Sequence, residues 1–236
     1  MEKYSLEEID NHIIAVIGGK RALIDTGSPI SIGDSPEIVI LGQSYSLEKK
    51  LLDLDVKQIG ELAKIDINVL LGMDILSKFI FYISPGLRGM ICSEFFINFT
   101  DKMQDVPVAY SGTIPVLDVT VEGVNLKMLF DTGAKLSYLN RGFFSDGKVL
   151  GVKEDFYPGV GEFSTAVYNI PLEIRGNKLD FVCGDPPEWL QKNLYSLKCN
   201  GILGADILRY FNIQFNFKNN RIWLVEKPQV ATGQRR

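Results

Sequence analysis

Two distant stretches of the sequence share one order of apolar runs and turns. HIIAVIGGKRALIDTGSPISI begins at His12, and IPVLDVTVEGVNLKMLFDTGAKLSYL begins at Ile114. Each predicts a strand, a tight turn, a second strand and then Asp-Thr-Gly. A later pair of segments also matches, NVLLGMDILSKFIFYI from Asn68 and NGILGADILRYFNIQF from Asn200. Asp-Thr-Gly alone is an ordinary turn tripeptide, but two copies with matching second blocks indicate one unit used twice.

The length of 236 residues and the apolar content suffice for one large or two small domains. We predict an N-terminal lobe over 1–103, a C-terminal lobe over 104–227 and a disordered polar tail over 228–236. The second half has more residues between its two motifs, which we assign to a hairpin at 155–170 and a helix at 185–194. The rest is mostly strand, which predicts an all-β fold.

Charge and hydropathy do not identify a binding partner. The net charge is −4 with both signs interspersed, so nothing favours nucleic acid or a membrane surface. The first residues, MEKYSLEEIDNH, lack the apolar stretch of a secretory signal, and no run approaches the roughly 20 apolar residues of a membrane span. We therefore expect a cytoplasmic protein.

The scarcity of histidine and cysteine excludes several kinds of site. His12 is the only histidine, so Ser-His-Asp, Cys-His and multi-histidine metal sites would all depend on it, and we expect it to be structural. Three irregularly spaced cysteines do not form a disulfide framework. We predict no metal and no cofactor.

Asp25 and Asp131 are the candidate catalytic residues. Each follows an apolar strand, where a carboxylate is costly unless hydrogen bonds or a shared proton compensate for it. If a pseudo-two-fold axis brings the two loops together, carboxylates within about 3 Å of each other retain one proton over a wide pH range. One is then a base for water and the other an acid for a carbonyl oxygen, which predicts amide hydrolysis.

The residues that follow each aspartate suit such a site. Glycine lets the loop bend and lets backbone N–H groups approach the carboxylates. Each threonine hydroxyl can bond across to the other loop, and a serine after the first motif adds a donor that alanine lacks. The supporting residues are Thr26, Gly27, Ser28, Thr132, Gly133 and Ala134.

These loops, with Leu70-Leu71-Gly72 and Ile202-Leu203-Gly204 further on, resemble the two motifs of retropepsin-like and pepsin-like aspartic proteases. The resemblance covers about residues 11–226. It implies a bilobal acid-protease fold of two fused retropepsin-like repeats, whereas the retroviral members are homodimers of one such unit. It further implies an aspartic endopeptidase, active as a monomer, that binds an extended peptide or protein substrate between the lobes.

A β-hairpin flap closes over the substrate in that family, and here the two halves differ. The first half offers only residues 37–47, whereas the second half has the longer hairpin. We expect closure mainly by the second-half hairpin, the reverse of pepsin's arrangement; the alternative is a surface hairpin without a role in binding. The candidate flap and substrate-contacting residues are Tyr45, Tyr157, Gly159 and Phe163.

Each of the two later motifs also carries an aspartate. Asp74 and Asp206 stand at the start of short helices, where we expect capping of unpaired backbone N–H groups rather than catalysis.

The alternative function is a catalytically silent peptide-binding or scaffold protein on the same fold, which the short first-half flap would suit. Against it, neither Asp25 nor Asp131 has been replaced.

Overall fold

The structure is a computed structural model that describes residues 1–99, 102–145, 148–158 and 160–227. The strands are β1 (Glu2–Ile9), β2 (His12–Ile17), β3 (Lys20–Ile24), β4 (Ile32–Gly33), β5 (Glu37–Ile40), β6 (Gln43–Ser46), β7 (Val69–Leu71), β8 (Ile80–Ser84), β9 (Gly89–Ser93), β10 (Met103–Pro107), β11 (Ala109–Ser111), β12 (Ile114–Val121), β13 (Val124–Phe130), β14 (Ser137–Leu139), β15 (Lys148–Tyr157), β16 (Gly161–Ile174), β17 (Asn177–Gly184), β18 (Gly201–Leu203), β19 (Phe211–Asn216) and β20 (Arg221–Glu226). The helices are α1 (Val56–Ala63), α2 (Met73–Leu76) and α3 (Glu188–Ser196), with 3-10 turns at Pro85–Leu87, Arg141–Phe143, Ala205–Arg209 and Phe217–Asn219. The predicted all-β fold class is confirmed. The expected tail, 228–236, lies outside the described residues.

The strands form two large sheets and one small one. The ten-stranded sheet has the order β10-β20-β19-β8-β9-β1-β2-β3-β7-β4, and the eight-stranded sheet has the order β11-β12-β13-β18-β14-β17-β16-β15. The hairpin β5–β6 forms a sheet of its own. Because β19 and β20 pair within the ten-stranded sheet, that sheet combines strands from both predicted lobes. The boundary between 103 and 104 stays a prediction.

Tight turns fix the register before each Asp-Thr-Gly. Gly18 and Gly19 have positive φ and join β2 to β3, while Glu122 and Gly123 do the same between β12 and β13. Two-residue turns with positive φ at both positions match the twist of the flanking strands, which is why glycine is favoured there. The tight turn predicted between the first two strands of each stretch is confirmed.

The strand before each Asp-Thr-Gly runs parallel to the strand before the later Gly. β3 pairs with β7, placing Ile24 opposite Leu71, and β13 pairs with β18, placing Phe130 opposite Leu203. All three residues of β7 and of β18 are buried. Each Asp-Thr-Gly therefore begins where a buried strand ends, inside the protein rather than on its surface.

Two helices pack beside these strands. The helix predicted at 185–194 is α3, which begins after Pro187. The sequence reasoning missed α1, whose start is marked by a capping box in which Asp55 and Gln58 each bond the other's backbone N–H. Its buried residues pack against Ile14 and Leu23 of β2 and β3. The Asp55-x-x-Gln58 spacing was the signal for this helix.

Three fully buried phenylalanines join strands from distant parts of the sequence. Phe215 of β19 stacks on Phe81 of β8, with ring centroids 4.4 Å apart and planes 8° apart. It also stacks on Phe130, which directly precedes Asp131, at 5.6 Å. The core beneath the second Asp-Thr-Gly therefore includes strands far from it in sequence.

We expect Phe215→Ala to lower the free energy of unfolding by about 3–5 kcal/mol, because it leaves a cavity between two buried rings. Urea unfolding followed by tryptophan fluorescence measures the change. Phe95→Ala is the control, since Phe95 is 76% exposed and should stay within about 0.5 kcal/mol of wild type. Equal losses in both variants would contradict this account of the core.

Candidate active site

The structure brings Asp25 and Asp131 together. Their carboxyl groups are in hydrogen-bond contact, and each keeps part of its surface open toward a cavity. A Cβ atom added at Gly27 would lie 2.2 Å from the carboxyl carbon of Asp131, and one added at Gly133 would lie 2.4 Å from that of Asp25. Only glycine leaves room for the opposite carboxyl group at either position.

The backbone of each loop holds its own carboxylate. Oδ1 of Asp25 accepts hydrogen bonds from the N–H groups of Gly27 and Ser28, at 2.9 and 3.0 Å. Oδ1 of Asp131 accepts the equivalent bonds from Gly133 and Ala134, at 2.9 and 3.1 Å. In each carboxyl group Oδ1 is thereby engaged by the loop, and both groups are oriented by rigid backbone.

Thr26 and Thr132 link the two loops by reciprocal hydrogen bonds, as predicted. The Thr26 hydroxyl donates to the carbonyl of Phe130 at 2.6 Å and accepts from the N–H of Thr132 at 3.0 Å. The Thr132 hydroxyl donates to the carbonyl of Ile24 at 2.7 Å and accepts from the N–H of Thr26 at 3.1 Å. Both threonines are fully buried, so no water competes for these bonds.

Enclosure by protein raises the pKa of both aspartates. The pKa of Asp25 rises furthest, because the negative charge of Asp131 adds to the effect of burial. The rise at Asp131 is opposed by hydrogen bonds from Ala134, Asp25 and Gly133 to its carboxylate. The pair therefore holds one proton between two carboxyl groups.

Behind each loop lies a serine that the sequence reasoning missed. The Ser31 hydroxyl donates to Asp74 at 2.6 Å and accepts from the N–H of Gly72 at 2.8 Å. It thus fastens the strand after the first Asp-Thr-Gly to the second motif of that half. The signal in the sequence was a serine six positions after each aspartate.

The second loop has the same arrangement in a more enclosed setting. The Ser137 hydroxyl donates to Asp206 at 2.7 Å and accepts from the N–H of Gly204 at 2.9 Å. Asp206 is 5% exposed, and burial raises its pKa to about 6. The N-cap residues are Gly72 and Gly204, so neither aspartate occupies the cap position itself. Asp74 does accept a hydrogen bond from the N–H of Ile75 in the first helical turn, at 2.9 Å. Both aspartates are also partners of the two serines.

A cavity of about 230 Å³ lies over the two aspartates. The hairpin β15–β16 lies on one side of it, contributing Phe156, Tyr157 and Phe163, and α1 contributes Ile59 and Ala63. The structure therefore places two of the predicted flap residues beside Asp25 and Asp131. The pKa of Tyr157 is raised by burial and by the negative charge of the aspartate pair.

The hairpin contacts both sides of the cavity. Phe156 packs against the cluster that contains Ile59 of α1, across from the rest of its own sheet. Tyr157 and Phe163 pack against Trp189 of α3, with ring centroids 5.0 and 5.5 Å apart. Aromatic contacts thus hold the hairpin over the two aspartates.

Tyr45, the flap candidate of the first half, is not at this cavity. Tyr45 of β6 packs edge-on against Phe79, with ring centroids 6.4 Å apart, and no residue from 37–47 lines the cavity. The first-half hairpin lies instead against the core, because Ile38 and Ile40 are buried there. Gly159 lies outside the described residues.

Two absences concern the described part of the chain. There, no group of three or more His, Cys, Asp or Glu side chains is placed to hold a metal ion. No helix in the same ranges is long and apolar enough to span a bilayer. The cytoplasmic location stays a prediction.

No family model and no curated protein matches this chain. Solved structures do match it. One is the solution structure of the simian foamy virus (mac) protease, with a TM-score of 0.29 and 19% identity over 39% of this chain and 88% of that chain. The chemistry of the site therefore has to be inferred from its own residues.

Thr26→Val should lower the free energy of unfolding by about 1–3 kcal/mol, because the buried N–H of Thr132 loses its acceptor. Thr26→Ser keeps the hydroxyl and is the control. In a double-mutant cycle with Thr132→Val, urea unfolding should give a coupling energy of about 0.5–3 kcal/mol, since the two side chains bond reciprocally. Strict additivity would contradict the linkage.

Asp206→Asn should stabilise the protein increasingly as pH rises. The folded pKa of about 6 lies above the usual 3.8, so ionisation of Asp206 weakens the wild-type fold between about pH 4 and pH 7. The expected difference in unfolding free energy grows by about 3 kcal/mol across that range. Urea unfolding at several pH values measures it, and a difference that stays constant with pH would contradict the shifted pKa.

Proposed function

We propose that the protein is an aspartic endopeptidase whose catalytic residues are Asp25 and Asp131. The observation that carries the proposal is the hydrogen-bond contact between two enclosed carboxyl groups that face a cavity under a hairpin. Carboxyl groups in contact share a proton, which provides a base and an acid in one site. No cofactor is needed for that chemistry.

The ionised member of the pair removes a proton from a water molecule between the two groups. The oxygen of that water attacks the peptide carbonyl carbon, while the protonated member gives its proton to the carbonyl oxygen. The tetrahedral diol then collapses, and a proton passes to the departing nitrogen as the C–N bond breaks. The water ends as part of the new carboxyl and amino termini.

The substrate class follows from the shape of the site. The cavity lies between α1 and the β15–β16 hairpin, and its walls are mostly apolar. An extended peptide beneath the hairpin can pair its backbone with a strand while its side chains enter the walls. Because one chain supplies both loops, we propose that a monomer is active.

Matching contacts support the interpretation of the chain as two fused repeats. The N–H of Asp25 donates to Leu71 at 3.0 Å, and that of Asp131 donates to Leu203 at 2.9 Å. Beyond these bonds, the crossing threonines and the serines behind each loop also correspond. Such correspondence in long-range hydrogen bonds is what a duplicated unit would retain.

Asp25→Asn and Asp131→Asn should each lower kcat/KM by about 10³-fold or more, since either change removes the shared-proton pair. The measurement is cleavage of unfolded casein and of fluorogenic peptides between pH 3 and pH 8. Asp118→Asn is the control, because Asp118 is an exposed carboxylate on β12 away from the cavity.

A peptide with a secondary alcohol in place of the scissile carbonyl distinguishes the alternative function. Its hydroxyl mimics the tetrahedral diol, so a protease should bind it more tightly than the parent peptide. If folded wild-type protein binds peptides but cleaves none at any pH, the endopeptidase proposal is wrong and the chain is a peptide-binding protein.

A further inference from the structure

One end of the cavity differs from its apolar walls. His12, Lys135, Tyr138 and Asp155 all line it and approach one another from three separate segments. His12 and Asp155 lie within electrostatic range of each other, as do Asp155 and Asp131. This polar end is defined here as His12, Lys135, Tyr138 and Asp155.

Asp155 provides a negative charge at the polar end. Oδ2 accepts a hydrogen bond from the Tyr138 hydroxyl at 2.5 Å, and Oδ1 accepts one from the N–H of Phe156 at 2.9 Å. Both partners are uncharged. Within the described ranges Asp155 forms no ion pair, so its charge is oriented but not neutralised.

Lys135 forms its ion pair with another carboxylate and not with Asp155. Its ammonium group pairs with Asp10 at 3.1 Å, on the turn between β1 and β2. The same turn is tied to this segment by Asn11, whose side chain donates to the carbonyl of Lys135 at 2.9 Å. The lysine is therefore paired with a carboxylate on the turn, and Asp155 is left without a cation in contact.

His12 adds an unused polar atom. The side chain is 2% exposed, and Nδ1 has no hydrogen-bond partner among the described residues. Burial and the nearby charge of Lys135 lower the pKa of His12, so the ring is neutral. A neutral imidazole has one nitrogen that accepts a hydrogen bond.

A peptide that fills the cavity expels the water that solvates Asp155. A carboxylate left without water or a cation is strongly disfavoured, so an apolar side chain at this end would bind poorly. A cationic side chain would compensate the negative charge of Asp155, and a guanidinium group can donate hydrogen bonds to several acceptors at once.

We propose that the polar end is a substrate-binding subsite for a basic side chain, arginine above lysine, with Asp155 as the residue that selects it. This inference rests on the proposed peptidase function and deepens it by naming the substrate class. The site would then favour polypeptides with a basic residue at one fixed position relative to the cleaved bond.

The test is digestion of a peptide library, with cleavage sites read by mass spectrometry. We expect arginine and lysine to be enriched at one position in wild-type cuts. On matched peptides that carry Arg or Leu there, Asp155→Asn should lower kcat/KM at least tenfold for the Arg peptide and less than twofold for the Leu peptide. Glu154→Gln, at the exposed neighbouring carboxylate outside this cavity, should leave the preference unchanged.

Tyr138→Phe separates charge recognition from a purely structural role of Asp155. It removes the hydrogen bond that anchors the hairpin but keeps the carboxylate, so the preference for arginine should survive even where the overall rate falls. If Tyr138→Phe and Asp155→Asn each lower kcat/KM by the same factor for the Arg peptide and for the Leu peptide, Asp155 only anchors the hairpin and the inference is wrong.

Binding measurements keep this inference separate from the peptidase proposal. Positional peptide pools with Arg or Leu at each of eight positions are titrated into Asp25→Asn protein by calorimetry. At one position the Arg pool should bind at least tenfold more tightly, and Asp155→Asn should remove that difference. Equal affinities at every position would overturn the subsite, whereas absence of cleavage alone would overturn only the peptidase.

Discussion

The close approach of two carboxyl groups is the constraint on which the rest of the structure depends. It requires glycine at 27 and 133, because a Cβ atom at either position would collide with the opposite carboxyl group. It also requires the crossing bonds of Thr26 and Thr132, which hold the loops against electrostatic repulsion. Parallel pairing of β3 with β7 and of β13 with β18 then places both loops at the ends of buried strands.

The floor of the site consists of the two Asp-Thr-Gly loops below the cavity. The sequence predicted this floor because each loop is a local motif and the motif occurs twice. Asp-Thr-Gly after an apolar strand, present twice, was enough to pair Asp25 with Asp131 and to assign the threonines. The bonds from Ser31 to Asp74 and from Ser137 to Asp206 were not predicted, since each joins residues far apart in the chain. Tyr45 was wrongly assigned to a flap for a similar reason. An aromatic residue in a short hairpin can belong either to a flap or to the core, and the contact with Phe79 shows that Tyr45 packs on the core.

The two halves match in the floor but differ above it. On the first-half side α1 and apolar side chains border the cavity, whereas the second half contributes the long β15–β16 hairpin braced by Trp189. The floor has to satisfy one geometric requirement and leaves little freedom to either half. The residues above the aspartates meet no such requirement, so they differ between the two halves. Asp155, a carboxylate among mostly apolar cavity walls, is one of these residues.

The place of β19 in the ten-stranded sheet has a consequence for how the protein is made. β8 pairs with β9 on one side and with β19 on the other, and Phe215 of β19 covers Phe81. During translation the segment that contains both Asp-Thr-Gly loops leaves the ribosome before Phe211–Asn216 does. A nascent chain at that stage carries both aspartates but lacks the strand that completes the sheet and the core beneath Phe130. The ten-stranded sheet can be completed only after these strands have been synthesised.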